Sequence, residues 1–132
     1  MQFDMLESSI KTIIDKKVSA KLKTTYPDLN FITEANDDTD YMFPCVYIHE
    51  LDVTETASSL SGKHINAIQH SLQIEISTNK KKADSKRVAY EVVDVLKELG
   101  YTITTMPVYT KIATIHTYFV RATRLIGNGD II

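Results

Sequence analysis

The sequence predicts an α+β protein in which two helices pack on one face of an antiparallel or mixed sheet of about four strands. Apolar residues recur at helical spacing near the N-terminus and again over residues 83–99, while apolar and polar residues alternate strictly over residues 68–77. The predicted order of elements is α-β-β-α-β, which is typical of helices that cover one side of a sheet. The 132 residues are close to the commonest size of one domain. We therefore expect a single domain over residues 1–132, with a flexible tail from about residue 127.

The first helix is predicted over residues 3–24, because its apolar residues follow one another at three- and four-residue intervals. Tyr26 and Pro27 end it, since the residue before a proline is disfavoured in the α region. A short extended segment over residues 31–33 precedes a polar turn over residues 36–40. The apolar residues on which the helix prediction depends are Phe3, Leu6, Ile10, Ile13, Ile14, Val18 and Leu22.

Aromatic and β-branched residues predict a strand over residues 44–52, with Pro44 at an edge or at the first position of the strand. Residues 53–66 are rich in Thr, Ser, Ala and Gly, and we interpret them as a long exposed loop. The alternating residues 68–77 form the next strand, with one face towards a core and the other towards water or a partner.

The second helix is predicted to be capped by Asn79 or Asp84 and to end at Gly100. Residues 101–104 resume extended structure, and Pro107 interrupts it. A last strand is predicted over residues 111–126. The residues expected to share one face of that strand are Ile112, Tyr118, Val120, Ala122 and Ile126.

The charge of the chain is distributed unevenly. The net charge is -2, which gives no general attraction to DNA or to an anionic membrane. Residues 28–55 carry acidic side chains and no Lys or Arg, whereas residues 80–87 are strongly basic. Such stretches are either solvated surfaces or complementary patches across a repeated subunit contact. The candidate interface residues are Asp37, Asp38, Asp40, Glu55, Ser58, Ser59, Lys63, His64, Lys80, Lys81, Lys82, Lys86 and Arg87.

No pattern in the sequence indicates catalysis, a cofactor or a metal site. The four histidines lack the helical i, i+4 spacing that gathers two imidazoles around a metal, and there is no Gly-rich phosphate loop. We expect His70 to be a core or interface histidine and Cys45 to be a core residue. The single cysteine, the absence of a signal sequence and the absence of a long apolar run favour a protein that stays in the cytoplasm.

The ordered elements resemble the tail terminator proteins of long-tailed bacteriophages, which are also called tail completion or tail-to-head joining proteins. Four segments carry the resemblance: a strand after a proline (residues 43–48, FPCVYI), an alternating strand before a Lys-rich turn (72–77, LQIEIS), a helix ending in Leu-Gly-Tyr (92–101, VVDVLKELGY) and a final strand (118–124, YFVRATR). The resemblance covers nearly the whole chain.

The resemblance implies a homo-oligomeric ring, usually a hexamer, which binds the last ring of the tail tube protein, stops its polymerisation and joins the tail to the head connector. DNA passes through such a ring without specific binding, and the protein resides in the virion at the junction of tail and head. Two alternatives stay open: another neck or head-completion subunit, such as a connector or stopper, and a small cytoplasmic α+β enzyme.

Overall fold

Two helices and five strands make up the computed structural model, which describes residues 5–34, 42–58 and 65–127. The elements in chain order are α1 (Leu6–Leu22), β1 (Asn30–Ile32), β2 (Cys45–Ser58), β3 (Ile65–Thr78), α2 (Lys82–Glu98), β4 (Thr102–Ile112) and β5 (Ile115–Gly127). Neither helix of these described ranges is long and apolar enough to cross a lipid bilayer.

The five strands form one sheet in the order β1-β2-β3-β5-β4. β1 runs parallel to β2, and all other neighbouring strands are antiparallel. The predicted α+β class is confirmed. The predicted strand count and element order differ from the structure, because the three-residue β1 counts as a strand and the C-terminal segment contains two strands.

The hydrophobic core lies between the helices and one face of the sheet. Buried residues of α1 and α2 join the even-numbered residues of β3 in one cluster, in which Ile14, Val92 and Ile74 are fully buried. Both helices therefore lie on the same side of the sheet. Each buried aliphatic side chain of this kind contributes about 1.5–3 kcal/mol relative to an exposed one.

The predicted loop over residues 53–66 was wrong, because most of it belongs to strands. β2 continues to Ser58, and β3 begins at Ile65. The register between β2 and β3 shifts between Glu50 and Val53 and again beyond Glu55. These bulges break the two-residue alternation that the sequence pattern relies on. Residues 59–64 lie outside the described residues.

The predicted interruption at Pro107 was also wrong. β4 runs through Pro107, because β4 is the edge strand of the sheet and a proline there removes no ladder hydrogen bond. Pro107 lies in an irregular stretch, since the register with β5 shifts between Thr105 and Val108.

The predicted single strand over residues 111–126 was wrong, because residues 111 and 112 end β4 and residues 115–126 belong to β5. A two-residue turn at Ala113 and Thr114 joins β4 to β5, and Ala113 adopts a φ of 54°. Ile112 therefore ends β4 and is 73% exposed instead of sharing the buried face. The other residues predicted for that face are buried, namely Tyr118, Val120, Ala122 and Ile126.

The sequence prediction for the ends of α2 is correct only at the C-terminal end. Lys81 occupies the N-cap position without a side-chain capping bond, so neither Asn79 nor Asp84 caps the helix. Gly100 does terminate it, with a φ of 85°. The Gly100 amide donates to the Lys97 carbonyl and the Tyr101 amide to the Leu96 carbonyl, which is the bonding of a Schellman motif. Gly127 closes β5, and residues 128–132 of the predicted tail lie outside the described residues.

Candidate interaction surface

The odd-numbered residues of β3 lie on the face of the sheet opposite the helices. We call this the open face. Its β3 residues from Ala67 to Ser77 are half-buried, apart from the exposed Gln69, whereas the even-numbered residues from Ile68 to Thr78 are fully or almost fully buried. The antiparallel register extends the open face to the odd-numbered residues of β5 from Thr117 to Leu125. The two faces of one sheet thus differ sharply in how far the chain covers them.

One end of the open face contains an apolar groove of about 360 Å³. Cys45 and Ser77 form part of its floor, at the end of the sheet where β2 begins and β3 ends. We call this the groove end. Glu75 supplies the carboxylate among the groove residues. The large apolar residues that line the groove are Ile32, Phe43, Tyr47, Ile112 and Ile115.

The thiol of Cys45 is buried and free, as the sequence predicted for a core residue. Burial raises the pKa of this thiol to about 11. The thiolate is the reactive form of cysteine, so little of it is present near neutral pH. Cys45 therefore contributes an unreactive, apolar surface to the groove.

A polar band crosses the middle of the open face. The Arg121 guanidinium donates from Nε to Oε1 of Gln73 over 2.8 Å. His49 Nε2 lies 3.6 Å from a carboxylate oxygen of Glu75, and the His49 ring stacks on Tyr47 with centroids 4.7 Å apart. Gln73 and Arg121 therefore satisfy each other, whereas Nε2 of His49 is buried and has no hydrogen-bond partner among the described residues.

Beyond the polar band, at the opposite end of the open face, Leu125 is 63% exposed. We call this the distal end. Leu51 of β2 is also exposed, and it lies two residues after His49. A backbone rise of about 3.4 Å per residue places Leu125 about 27 Å along β5 from Thr117 in the groove. The open face therefore has an apolar recess at one end and an apolar projection at the other.

On the helix-covered face, a buried hydrogen-bonded network surrounds His70, which has no solvent exposure. His70 Nε2 lies 2.6 Å from the Glu50 carboxylate, and Nδ1 lies 2.7 Å from the Tyr101 hydroxyl. A carboxylate can only accept, so Nε2–H donates to Glu50, and with Nε2 as the protonated nitrogen of the ring, Nδ1 accepts from the Tyr101 hydroxyl. This confirms His70 as a core histidine.

Two neighbours complete the surroundings of that network. Burial raises the pKa of Tyr101 well above its ordinary range, although Arg124 opposes the shift. The Glu50 amide donates to the Glu7 carboxylate of α1 over 3.1 Å. Neither His70 nor Tyr101 reaches solvent, so the carboxylate–imidazole–hydroxyl chain stabilises the fold and does not face a substrate in this conformation.

The structure describes only part of the predicted interface set. Glu55 and Ser58 lie on the backbone of β2, opposite Ile68 and Ile65 of β3. The basic residues all lie at the start of α2 or just before it and are exposed, namely Lys80, Lys81, Lys82, Lys86 and Arg87. The other predicted residues lie outside the described ranges, namely Asp37, Asp38, Asp40, Ser59, Lys63 and His64.

The acidic and basic stretches meet within one chain at the groove end. Asp28 and Lys80 line the same small cavity of about 50 Å³. The Tyr26 hydroxyl donates to the Asp84 carboxylate over 3.2 Å, and burial raises the pKa of Tyr26. The part of the acidic stretch around Asp28 therefore lies beside the basic start of α2 within one chain.

Lys82 differs from the other basic residues because it contacts an aromatic ring. Its Nζ lies 4.1 Å from the centroid of the Tyr109 ring. The Tyr109 hydroxyl in turn lies 2.7 Å from Nδ1 of His116. The cation–π contact fixes the start of α2 against β4 and leaves Lys80 and Lys81 free to meet a partner.

No protein-family model matches this sequence, and no curated protein matches it. Within residues 5–34, 42–58 and 65–127, no group of three or more His, Cys, Asp or Glu side chains is placed to hold a metal ion.

Sequence analysis missed the groove and its counterpart at the distal end. Ile112 was predicted to share a face with Tyr118 and Val120, and neither Ile115 nor Leu125 was assigned a role. The available signal was the alternation of β5 itself, in which Leu125 falls on the polar side of a strand whose Ile126 is buried. A large apolar residue at a solvent-facing position of a strand indicates a contact surface when other such residues accompany it.

Proposed function

We propose that this protein is a structural ring subunit of a phage tail, similar to the tail terminators. In this role it caps the tail tube, stops tube polymerisation and joins the tail to the head connector, at the junction of tail and head in the virion. The observation that carries the proposal is the open face, a sheet surface with an apolar groove and exposed apolar side chains that neither α1 nor α2 covers.

The different roles of the two sheet faces support a function in assembly. An assembly subunit must fold alone and still keep apolar surface available for its neighbours. The helix-covered face contains the core that stabilises the fold. Exposed apolar residues on the open face, such as Val108, Ile112 and Leu125, add nothing to that core and are typical of contact surfaces.

The charge of the chain also suits a ring through which DNA passes. A lumen that lets DNA slide should lack dense positive charge, since each Lys or Arg near a phosphate retains the DNA. The net charge of -2 meets this requirement. The basic residues are concentrated at the start of α2, where a cluster such as Lys81 and Lys86 suits an acidic protein partner.

The direct test is polymerisation of the cognate tail tube protein with and without this protein, viewed by negative-stain electron microscopy. We expect shorter tubes that carry ring-shaped density at one end. Tubes of unchanged length with bare ends would overturn the proposal.

A pair of variants makes the test specific. Lys81→Glu with Lys86→Glu reverses charge at the basic end of α2 and should weaken capping. Lys16→Glu with Lys97→Glu changes the net charge equally on exposed helical positions elsewhere and should cap like the unaltered protein. Equal loss in both variants would mean that net charge, and not the basic end of α2, governs capping.

A further inference from the structure

We infer that the groove receives an arginine side chain of a partner protein, with its guanidinium against the Glu75 carboxylate and its aliphatic stem along the apolar lining. The inference rests on the proposed function, because the open face is the surface that meets a partner in that role. It adds the chemical feature that the partner must present to this end of the open face.

The lining of the groove suits a long apolar stem. Large aliphatic and aromatic residues form much of it, and its volume of about 360 Å³ lies within the range of pockets that hold small ligands. The hydroxyls of Ser77 and Thr117 lie 2.9 Å apart and satisfy each other. These two hydroxyls therefore need no polar group from an occupant, and the methylene groups of an arginine can lie against apolar side chains.

Glu75 gives the groove its carboxylate. It is the charged residue among the described residues of the lining, and its side chain is 36% exposed. His49 lies beside it, but Nε2 of His49 is 3.6 Å from the Glu75 carboxylate, which is too long for a hydrogen bond. The carboxylate therefore retains the capacity to accept hydrogen bonds from a cation that enters the groove.

The walls from β1 and β2 add no positive charge. Ile32 and Tyr47 of the groove lie within residues 28–55, which contain no Lys or Arg. Glu34 is exposed two residues after Ile32. Charge complementarity on this side of the groove therefore favours a cationic occupant.

The basic residues of β4 and the start of α2 face the other side of the sheet. Lys111 alternates along β4 with the groove residues Thr110 and Ile112, so it projects towards the helix-covered face. Lys82 lies over the ring of Tyr109 on that same side, with Nζ 4.1 Å from the ring centroid. Neither lysine therefore neutralises the carboxylate of the groove.

The open face already holds one arginine in a similar manner. Arg121 donates from Nε to Oε1 of Gln73 over 2.8 Å, and its guanidinium carbon lies 5.8 Å from the centroid of the Phe119 ring. The groove offers the Glu75 carboxylate as acceptor and Tyr47 as aromatic ring. A guanidinium is planar and more weakly hydrated than an ammonium, so such a site suits arginine better than lysine.

A peptide titration followed by NMR tests the inference. The probes are acetyl-Val-Arg-Val-amide and the same peptide with citrulline, which has the shape of arginine without its charge. Methyl-labelled isoleucines report the site of binding, since Ile32, Ile112 and Ile115 line the groove while Ile10 and Ile14 lie in the core. We expect shifts of the groove methyls and roughly five- to tenfold tighter binding of the arginine peptide, the gain from a hydrogen-bonded ion pair at a partly exposed site.

A pair of variants assigns the preference to one carboxylate. Glu75→Gln keeps the shape of the side chain and should remove the preference for the arginine peptide. Asp94→Asn makes the same change of net charge at an exposed position of α2 and should leave the preference intact. Equal binding of the two peptides, groove methyls that do not shift, or a preference that survives Glu75→Gln would each overturn the inference.

A third peptide and the tube assay complete the test. Acetyl-Val-Lys-Val-amide should bind more weakly than the arginine peptide, and tighter binding would overturn the choice of arginine. A protein that caps tail tubes without preferring the arginine peptide keeps the proposed function and loses the arginine site. A protein that prefers the arginine peptide but leaves tube ends bare keeps the site and loses the tail assignment.

Discussion

Successive residues of the central strand β3 lie in opposite environments. Ile74 points into the core beneath the helices and is fully buried, whereas its neighbours Gln73 and Glu75 lie half-buried on the open face. The helices bury the covered face, and even the ring nitrogens of His70 have hydrogen-bond partners there. The open face is less covered, since it contains a groove and exposed aliphatic side chains.

This difference indicates which face stabilises the fold and which face is available for assembly. The large buried cluster lies on the helix-covered face, so strongly exposed residues of the open face can change with little loss of stability. Substitutions on the two faces should therefore separate folding from association.

The largest effect is expected at the centre of the covered face. Ile74→Ala removes a fully buried side chain and leaves a cavity, which should lower the free energy of unfolding by about 2–5 kcal/mol. Ile112→Ala makes the same chemical change at a strongly exposed position and should alter it by less than about 0.5 kcal/mol. Urea denaturation of both variants measures the difference, and equal losses would contradict the account of the two faces.

The buried network should give the next effect. Tyr101→Phe removes the hydroxyl that bonds His70 and leaves a buried ring nitrogen without its donor, at a cost of about 1–3 kcal/mol. Denaturation at neutral pH measures this loss. A variant as stable as the unaltered protein would show that the network adds little to folding.

The same variant has a signature in alkaline solution. Burial raises the pKa of Tyr101, so the folded protein retains a proton that the unfolded tyrosine releases above about pH 10. Stability from this group is complete below the unfolded pKa and is lost as pH rises towards the folded one. Denaturation between pH 9 and 11 should show a shallower decline for Tyr101→Phe than for the unaltered protein, and parallel declines would argue against the buried phenol.

A smaller effect is expected at the end of α2. Gly100 has a φ of 85°, and an added Cβ would lie 3.4 Å from Nε of Arg124. Gly100→Ala should therefore lower the free energy of unfolding by about 1 kcal/mol, because the left-handed conformation disfavours a side chain. Lys97→Ala, in the last turn of the same helix, serves as the control, and denaturation midpoints should separate the two variants.

The sequence was sufficient for elements whose pattern is local and unbroken. The helical spacing in α1 and α2, the alternation in β3 and the terminating Gly100 each follow from rules that act over a few residues. The α+β class then follows from their order. His70 could be assigned to the core because it replaces an apolar residue in an alternating strand.

The remainder depends on register and on tertiary pairing. The bulge after Glu50 concealed the second half of β2, since an extra residue reverses the alternation. The turn at Ala113 contains no Gly or Asn, so the hairpin of β4 and β5 had no turn signal and Ile112 was placed on the wrong face. The groove combines residues of β1, β2, β3, β4 and β5, and its existence could not be deduced before the strand order was known.

The most direct test of the central claim is electron microscopy of tail tube ends formed with the unaltered protein, with Ile112→Glu and with Tyr90→Glu. Assembly through the open face predicts ring density on the tube ends with the unaltered protein and with Tyr90→Glu, and bare ends with Ile112→Glu. Rings that persist with Ile112→Glu would contradict the assignment of the open face, and bare ends with the unaltered protein would contradict the ring itself.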